Sequence, residues 1–406
     1  MTDPMSENTQ DSIDAATAPA PVTMDNTFAQ RALHNTFKRW GARVGLLWIA
    51  LLTIFAVFAP IIATSYPWLL SQKGVISSPL VQHLSVVDVT LLIAFVNACV
   101  LWFLPGSLRQ KILIFITVIS ISFIASYILI KPPKLTIYEQ YRLNEKAGNI
   151  DWVFSAPIPY SPQDYLRDYG DTGLEKPLQA SNRSHWFGTE ENGADVLSRM
   201  IHASRIALAI GFIATGIAMS IGVVIGGLMG FFSGKTDMIG MRIVEVFEAI
   251  PTLFLLLTFV AFFGRSLYLM MVIIGITGWT GYARYIRAEF LRLRQQDFVQ
   301  AAIALGLPLR SILFRHMLPN GIAPVLVAAS FGVASAILAE ATLSFLGLGL
   351  VGEPSWGQML NQAVRSSSFN WWMAAFPGGA IFLTVFAYNL IGEALRDAID
   401  PYLNKS

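Results

Sequence analysis

The chain has 406 residues, 54% of them apolar and only 13% charged, against roughly 25% charged in an ordinary soluble domain. A net charge of +2 is too small to argue for a nucleic-acid partner. One cysteine, Cys99, excludes an intramolecular disulfide framework or a Cys-based zinc finger, and five scattered histidines lack metal-ligand spacing, so no metal is expected. With a mean hydropathy of +0.55, the sequence reads as an all-α integral membrane protein.

Residues 1–30 are polar and rich in Pro and Ala, carry five acids and no Lys or Arg, and predict a disordered tail. Residues 1–43 form this tail with its basic end. A bilayer core of about 30 Å needs about 20 apolar helical residues. Eight stretches meet or approach that length. Six are free of charge: 44–63, 112–130, 206–232, 266–283, 321–339 and 371–392. Two are weaker: 89–104 is short and holds Asn97, and 247–264 carries Glu248 and Pro251. The run at 44–63 lies too far from the start, and is too long, for a cleaved signal. Three spans therefore occupy 44–130. The segment 131–205, rich in Pro, Tyr, Asp and Asn, predicts an external domain; 206–394 holds the remaining spans, and 395–406 is a short tail. Basic residues cluster on one side of this arrangement, from Arg31 to Arg43, at Arg109 and Lys111, at Lys235 and Arg242, from Arg284 to Arg315, and at Arg396 and Lys405. The positive-inside rule makes that side, and both termini, cytosolic.

Between two spans stands DFVQAAIALGLP at 297–308, continuing to RHMLPN at 315–320. Asp297 is placed to cap a short helix in which Phe298, Ala301, Ala302 and Leu305 share a face. Gly306 supplies the turn that ends it, and Pro308 suits the first turn of the next helix. Two short helices at an angle follow; by composition alone, an amphipathic loop lying on the bilayer is the other reading. The stretch resembles the cytoplasmic coupling motif of bacterial ABC-importer permeases, E-A-A, three residues, Gly, then H-x-L-P-N. Here the motif stands as Gln300, Ala301, Ala302 and Gly306, with His316, Pro319 and Asn320 following; Gln300 replaces the usual Glu.

Further stretches resemble the C-type subunit of dipeptide and oligopeptide importers. They are HWFGTEENGADVLSR at 185–199, EATLSFLGLGL at 340–350, PSWG at 354–357, Pro377-Gly378, and the run from Asn389 to Pro401. The resemblance covers about 185–401. It implies a six-helix permease core paired with a homologous B-type permease, two cytosolic ATPases gripping 297–318, and an extracytoplasmic substrate-binding protein. It also implies a bacterial inner-membrane location, with ATP and Mg held by the ATPases and no cofactor on this chain. Relatives carry peptides, nickel chelates, glutathione or peptide antibiotics. Against that pattern, 86–130 is an extra N-terminal hairpin.

Other features carry weaker expectations. GFFSGKT at 230–236 has three residues where a P-loop needs four, and follows a membrane helix, so it is a turn rather than a nucleotide site. Gly222, Gly226 and Gly230 recur at four-residue spacing, which suits close helix packing or a translocation path. Glu340 and Glu248 lie at span edges; Glu340 is expected at a helix end or along the path, and no intramembrane base is in view to relay protons. Trp356, Trp371 and Trp372 suit an interfacial belt. The absence of inverted repeats and of a His/Asp/Glu constellation argues against a stand-alone secondary transporter or a membrane enzyme.

Overall fold

The computed structural model describes residues 36–131, 133, 137–170, 173–177, 185–350 and 352–399. The expectations for 1–30 and for 400–406 fall outside them. The chain opens with α1 (Trp40–Ile62), a hairpin of β1 (Leu69–Gln72) and β2 (Val75–Ser77) turning through Lys73 and Gly74, and a short α2 (Pro79–His83). A helical hairpin follows as α3 (Val86–Phe103) and α4 (Leu108–Leu129). Both start on capping boxes, Ser85 with Asp88 and Ser107 with Gln110, in which side chain and backbone satisfy each other's open N–H groups.

Next come α5 (Gln140–Lys146) and β3 (Trp152–Phe154). β3 joins the first two strands in one antiparallel sheet of order β2-β1-β3, with Leu70 opposite Val153. The segment expected outside the membrane therefore draws on 63–85 as well as on 137–170 and 185–195, and forms a cap on this end of the helices. Asp164, fully buried, knits the two parts: it accepts from Ser65 and takes a two-pronged bond from Arg142 at 2.7 and 3.1 Å.

The core begins with α6 (Val196–Phe232), 37 residues long, or roughly 55 Å at 1.5 Å per residue. α7 (Gly234–Ala249) turns back along it, and α8 (Thr252–Phe263) continues after a 79° bend at Ile250 and Pro251. α9 (Leu267–Thr277) and α10 (Trp279–Leu293) are separated only by Gly278. α11 (Asp297–Ala304) and a helical run over 309–321, labelled α12, precede α13 (Ala323–Leu343), which ends in a π-type turn, Ser344–Leu348. α14 (Trp356–Arg365) and α15 (Trp371–Ile399) complete the described chain.

Among the described residues, six helices are long and apolar enough to cross a membrane singly: α1, α3, α4, α6, α13 with its π-type turn, and α15; the bent pair α7–α8 is apolar enough for a broken span or a re-entrant loop. The expected spans 247–264 and 266–283 thus take a broken form. Pro251 cannot donate to the helix ladder and forces the bend, Gly264 at φ +83° turns the chain, and Gly278 interrupts the return. α9 and α10 still lie end to end against α6, since Gly275 meets Ile217 and Ala214 while Gly230 meets Arg287 and Phe290. An ion pair between Arg39 and Asp397 brings the start of α1 and the end of α15 to one side. Trp356 and Trp372, expected at an exposed belt, are only 3% exposed; their indole N–H groups donate to Met200 O and Thr189 O. Of these three tryptophans, Trp371 alone is on the surface.

Candidate coupling site and translocation cavity

α11 is amphipathic, and its buried edge decides how the motif sits. Val299 and Ala302 are buried against Ile286, Phe290 and Leu293 of α10 and Ile312, Leu313 and Met317 of α12. Ala302 thus belongs to the inner edge, not to the face with Phe298 and Leu305. Phe298 (42% exposed), Leu305 (78%) and the small Ala301 face outward together. Asp297 does not cap: Gln296 occupies that position, and Asp297 is the first helical residue, where its charge suits the N-terminal dipole. Gly306 has φ +68° with open space around its missing Cβ, so the turn needs glycine for backbone conformation rather than for room. Pro308 stands immediately before α12.

Gln300 reaches back, its amide donating to Arg294 O at 2.7 Å and closing the end of α10 over α11. Arg294 in turn donates to Ser233 Oγ at 2.6 Å, in the tight α6–α7 turn where Ser233 has φ +52° and Gly234 +54°. Asn320 donates to His316 O at 2.7 Å within α12, and Pro319 lies exposed in its last turn. Arg287 grips Asp237 with two N–H groups, and Arg284 pairs with Glu248. Glu248 therefore has a basic partner after all. These arginines were legible in the sequence only as topology signals; their partners sit 36 to 62 residues away, beyond any local pattern.

Gly222, Gly226 and Gly230 line the seam between α6 and α10. An added Cβ would come within 2.5 Å of Tyr282 Cβ at Gly222, 2.2 Å of Ala283 O at Gly226 and 2.7 Å of Arg287 O at Gly230. Glu340 is buried in the last turn of α13 and accepts from Ser344 Oγ at 2.6 Å. None of these four residues lines the intramembrane cavity of about 480 Å³ that opens between α6, α8, α10 and α13. Its polar lining is uncharged: Thr215, Thr252, Thr277, Tyr282, Tyr285 and Ser335. The rest of the lining is apolar, so among the described residues the cavity holds six hydroxyls and no fixed charge.

Opposite the coupling segment, the 185–199 stretch ties the cap to the core. Asp195 caps α6 through Ser198 N at 2.7 Å and holds His185 Nδ1 at 2.8 Å. Glu190 pairs with Arg199 at 2.9 Å; burial pushes its carboxyl up while the guanidinium pulls it down. Glu191 accepts from Ser366 Oγ, Ser367 Oγ and Ser367 N at 2.7, 2.8 and 2.6 Å, and those bonds hold its carboxyl below the usual range.

Residues 222–405 match the family model described as binding-protein-dependent transport system inner membrane component. Over 247 residues the chain is 36% identical to the oligopeptide transport system permease protein OppC of Bacillus subtilis, covering 61% of this chain and 81% of that protein. It is 40% identical over 248 residues to OppC of Haemophilus influenzae, covering 60% and 79%. A dipeptide transport system permease protein, DppC of Alkalihalophilus pseudofirmus, is 37% identical over 243 residues, covering 60% and 80%. The Gly306 turn, the buried seam and the cap anchor thus lie on a transport permease, and the chain belongs to the family of inner-membrane components of binding-protein-dependent transport systems.

Proposed function

We propose that this chain is one permease half of an ATP-driven importer of dipeptides or oligopeptides. The observation that carries the reading is the apolar face of α11, with Phe298, Ala301 and Leu305 exposed beside the Gly306 turn. A soluble surface seldom leaves such residues together without a partner. Two ATPase subunits, holding ATP and Mg themselves, would press on 297–318 from the cytosol, with both termini on the same side. A homologous B-type permease would complete the path around the hydroxyl-lined cavity, and an external binding protein would deliver cargo to the cap. In this reading α11 and α12 act as a lever: Ala301 lets the ATPase surface approach, Val299 and Ala302 transmit the push to α10, and Gly306 keeps the two short helices at their angle. The chain itself performs no hydrolysis.

Gly306→Arg tests the lever. The substituent has room, but its backbone would be held in a left-handed conformation that costs an ordinary residue about 1–2 kcal/mol, and a long cation would stand where the ATPase seats. ATP-dependent uptake of a labelled peptide panel should be lost while membrane insertion and expression stay normal. Normal uptake at normal expression would sink the lever.

A further inference from the structure

At the end of the core remote from α11, a second cavity of about 520 Å³ opens between the α8–α9 turn, the glycine-rich stretch 344–350 with Gly352, and α14. Arg265 and Arg365 both line it, and among the described residues no carboxylate does. Neither arginine forms an ion pair among the described residues. Arg365 leans over the loop, one guanidinium nitrogen 3.4 Å from where a Cβ on Gly347 would lie, and Gly347 itself turns at φ +83°. Two neighbouring amides are fixed by the protein. Asn361 donates to Phe345 O, which pins the loop, and Gln362 accepts from Arg199 at 3.3 Å, which leaves its N–H groups as the donors it can offer the cavity. Arg199 is itself buried and paired with Glu190, so this orientation is built into the core.

We propose that this cavity is an entry subsite for the α-carboxylate of the transported peptide, bound by Arg265 and Arg365 with Gln362 as a neutral donor. The inference rests on the peptide-importer reading above and adds to it a group that the site selects. Three features favour a carboxylate. The lining offers donors and positive charge without a competing acid, so a free amino terminus finds no counter-ion there. Arginine forks match a carboxylate with two parallel N–H bonds. The α-carboxylate is common to unmodified peptides of any side chain, so one subsite would serve a broad cargo. The charge stands just beyond one end of the uncharged 480 Å³ cavity, whose α13 lining runs from Ala328 to Ala339 while Ser344 lines the charged one, so the carboxylate is engaged before passage and released from charge during it.

The experiment uses the full transporter, with ATPases, companion permease and binding protein, in vesicles. Uptake of a labelled tripeptide is compared with that of its C-terminal amide at limiting concentration. Because a binding protein has its own preference, the readout is the acid-to-amide ratio in the wild type against the Arg265→Gln/Arg365→Gln variant. We expect the ratio to fall roughly tenfold, the worth of a charge-assisted bidentate contact, with amide uptake unchanged, and Arg265→Lys/Arg365→Lys to retain part of the preference. An equal fall for both cargoes, or an unchanged ratio, overturns the subsite. So does a defect seen only in vesicles containing phosphatidylglycerol, which would make the ligand a lipid phosphate. A wild type that carries neither peptide overturns the peptide reading and the subsite with it, whereas a wild type that carries both without discrimination overturns the subsite alone.

Discussion

Glu191 shows how a single side chain can clamp two distant segments: its carboxylate holds the 366–367 loop by three short bonds. Its carboxyl is held low by Ser366 first and then Ser367. A group whose folded pKa is depressed contributes stability above its unfolded value, about 4.3, and loses that contribution as pH falls through the lower folded value. The protection factor of the Ser367 amide, which divides out the intrinsic pH dependence of exchange, should therefore be high at pH 6 and fall as the pH drops below about 4.3. In Glu191→Gln it should be low and flat across that range. A wild-type profile as flat as the variant's would remove the clamp.

The sequence carried part of this scale and hid the rest. Gly306 was readable because a left-handed turn between two helical patterns needs glycine. Asp297 was misread as a cap, since Gln296 takes that place with a backbone that needs no side-chain partner. Gln300 was readable only as a departure from the motif. Its bond to Arg294 O requires the third dimension. The same holds for Glu191, whose partners are about 175 residues along the chain.

Among the elements, the α6–α10 seam carries the sharpest test. At Gly226 a Cβ would meet Ala283 O at 2.2 Å and Ala283 Cα at 2.8 Å, both backbone, with no flexible side chain to give way. Gly216, on the same helix, has open space around it. Gly226→Ala should destabilise the detergent-solubilised protein by about 1–3 kcal/mol. Gly216→Ala should be neutral or slightly stabilising, because alanine favours helix over glycine. Equal melting temperatures for the two variants would mean the helices do not approach this closely. The four-residue glycine spacing announced a close seam; that its partner is α10, and that backbone rather than side chain fills it, was not written locally. Hydropathy likewise located the apolar stretches but missed the bend at Ile250–Pro251 and the break at Gly278, since composition windows average over single turns.

For the whole molecule, the hairpin α3–α4 is the least integrated part. Its apolar residues are largely exposed, Trp102 at 81% and Phe103 at 85%, and a polar tie holds its base, where Asp88 pairs with Arg205 of α6 at 2.6 Å. Two helices return the chain to the side it left, so excising 86–130 should not invert anything downstream. The excised chain, with Arg205→Gln to remove the cation left behind and a cysteine at Ser368, loses its natural Cys99. Ser368→Cys should then react with a membrane-impermeant maleimide from outside, as in the full-length Cys99→Ser chain. Loss of labelling would mean that the hairpin is not an even pair of crossings.

The length of α6 has a bearing on control as well as on architecture. Its first turn is locked into the cap through Asp195 and Arg199, and its last turn is tied through Ser233 to Arg294, against which Gln300 rests. Roughly 55 Å of continuous helix joins the two ends, seated on α10 by backbone contact with little slack to absorb strain. Such a strut has no preferred direction. If nucleotide at one end alters how tightly cargo is held at the other, then cargo must alter nucleotide affinity by the same factor. An arriving load would thereby announce itself to the motor, and an empty transporter would have reason to idle.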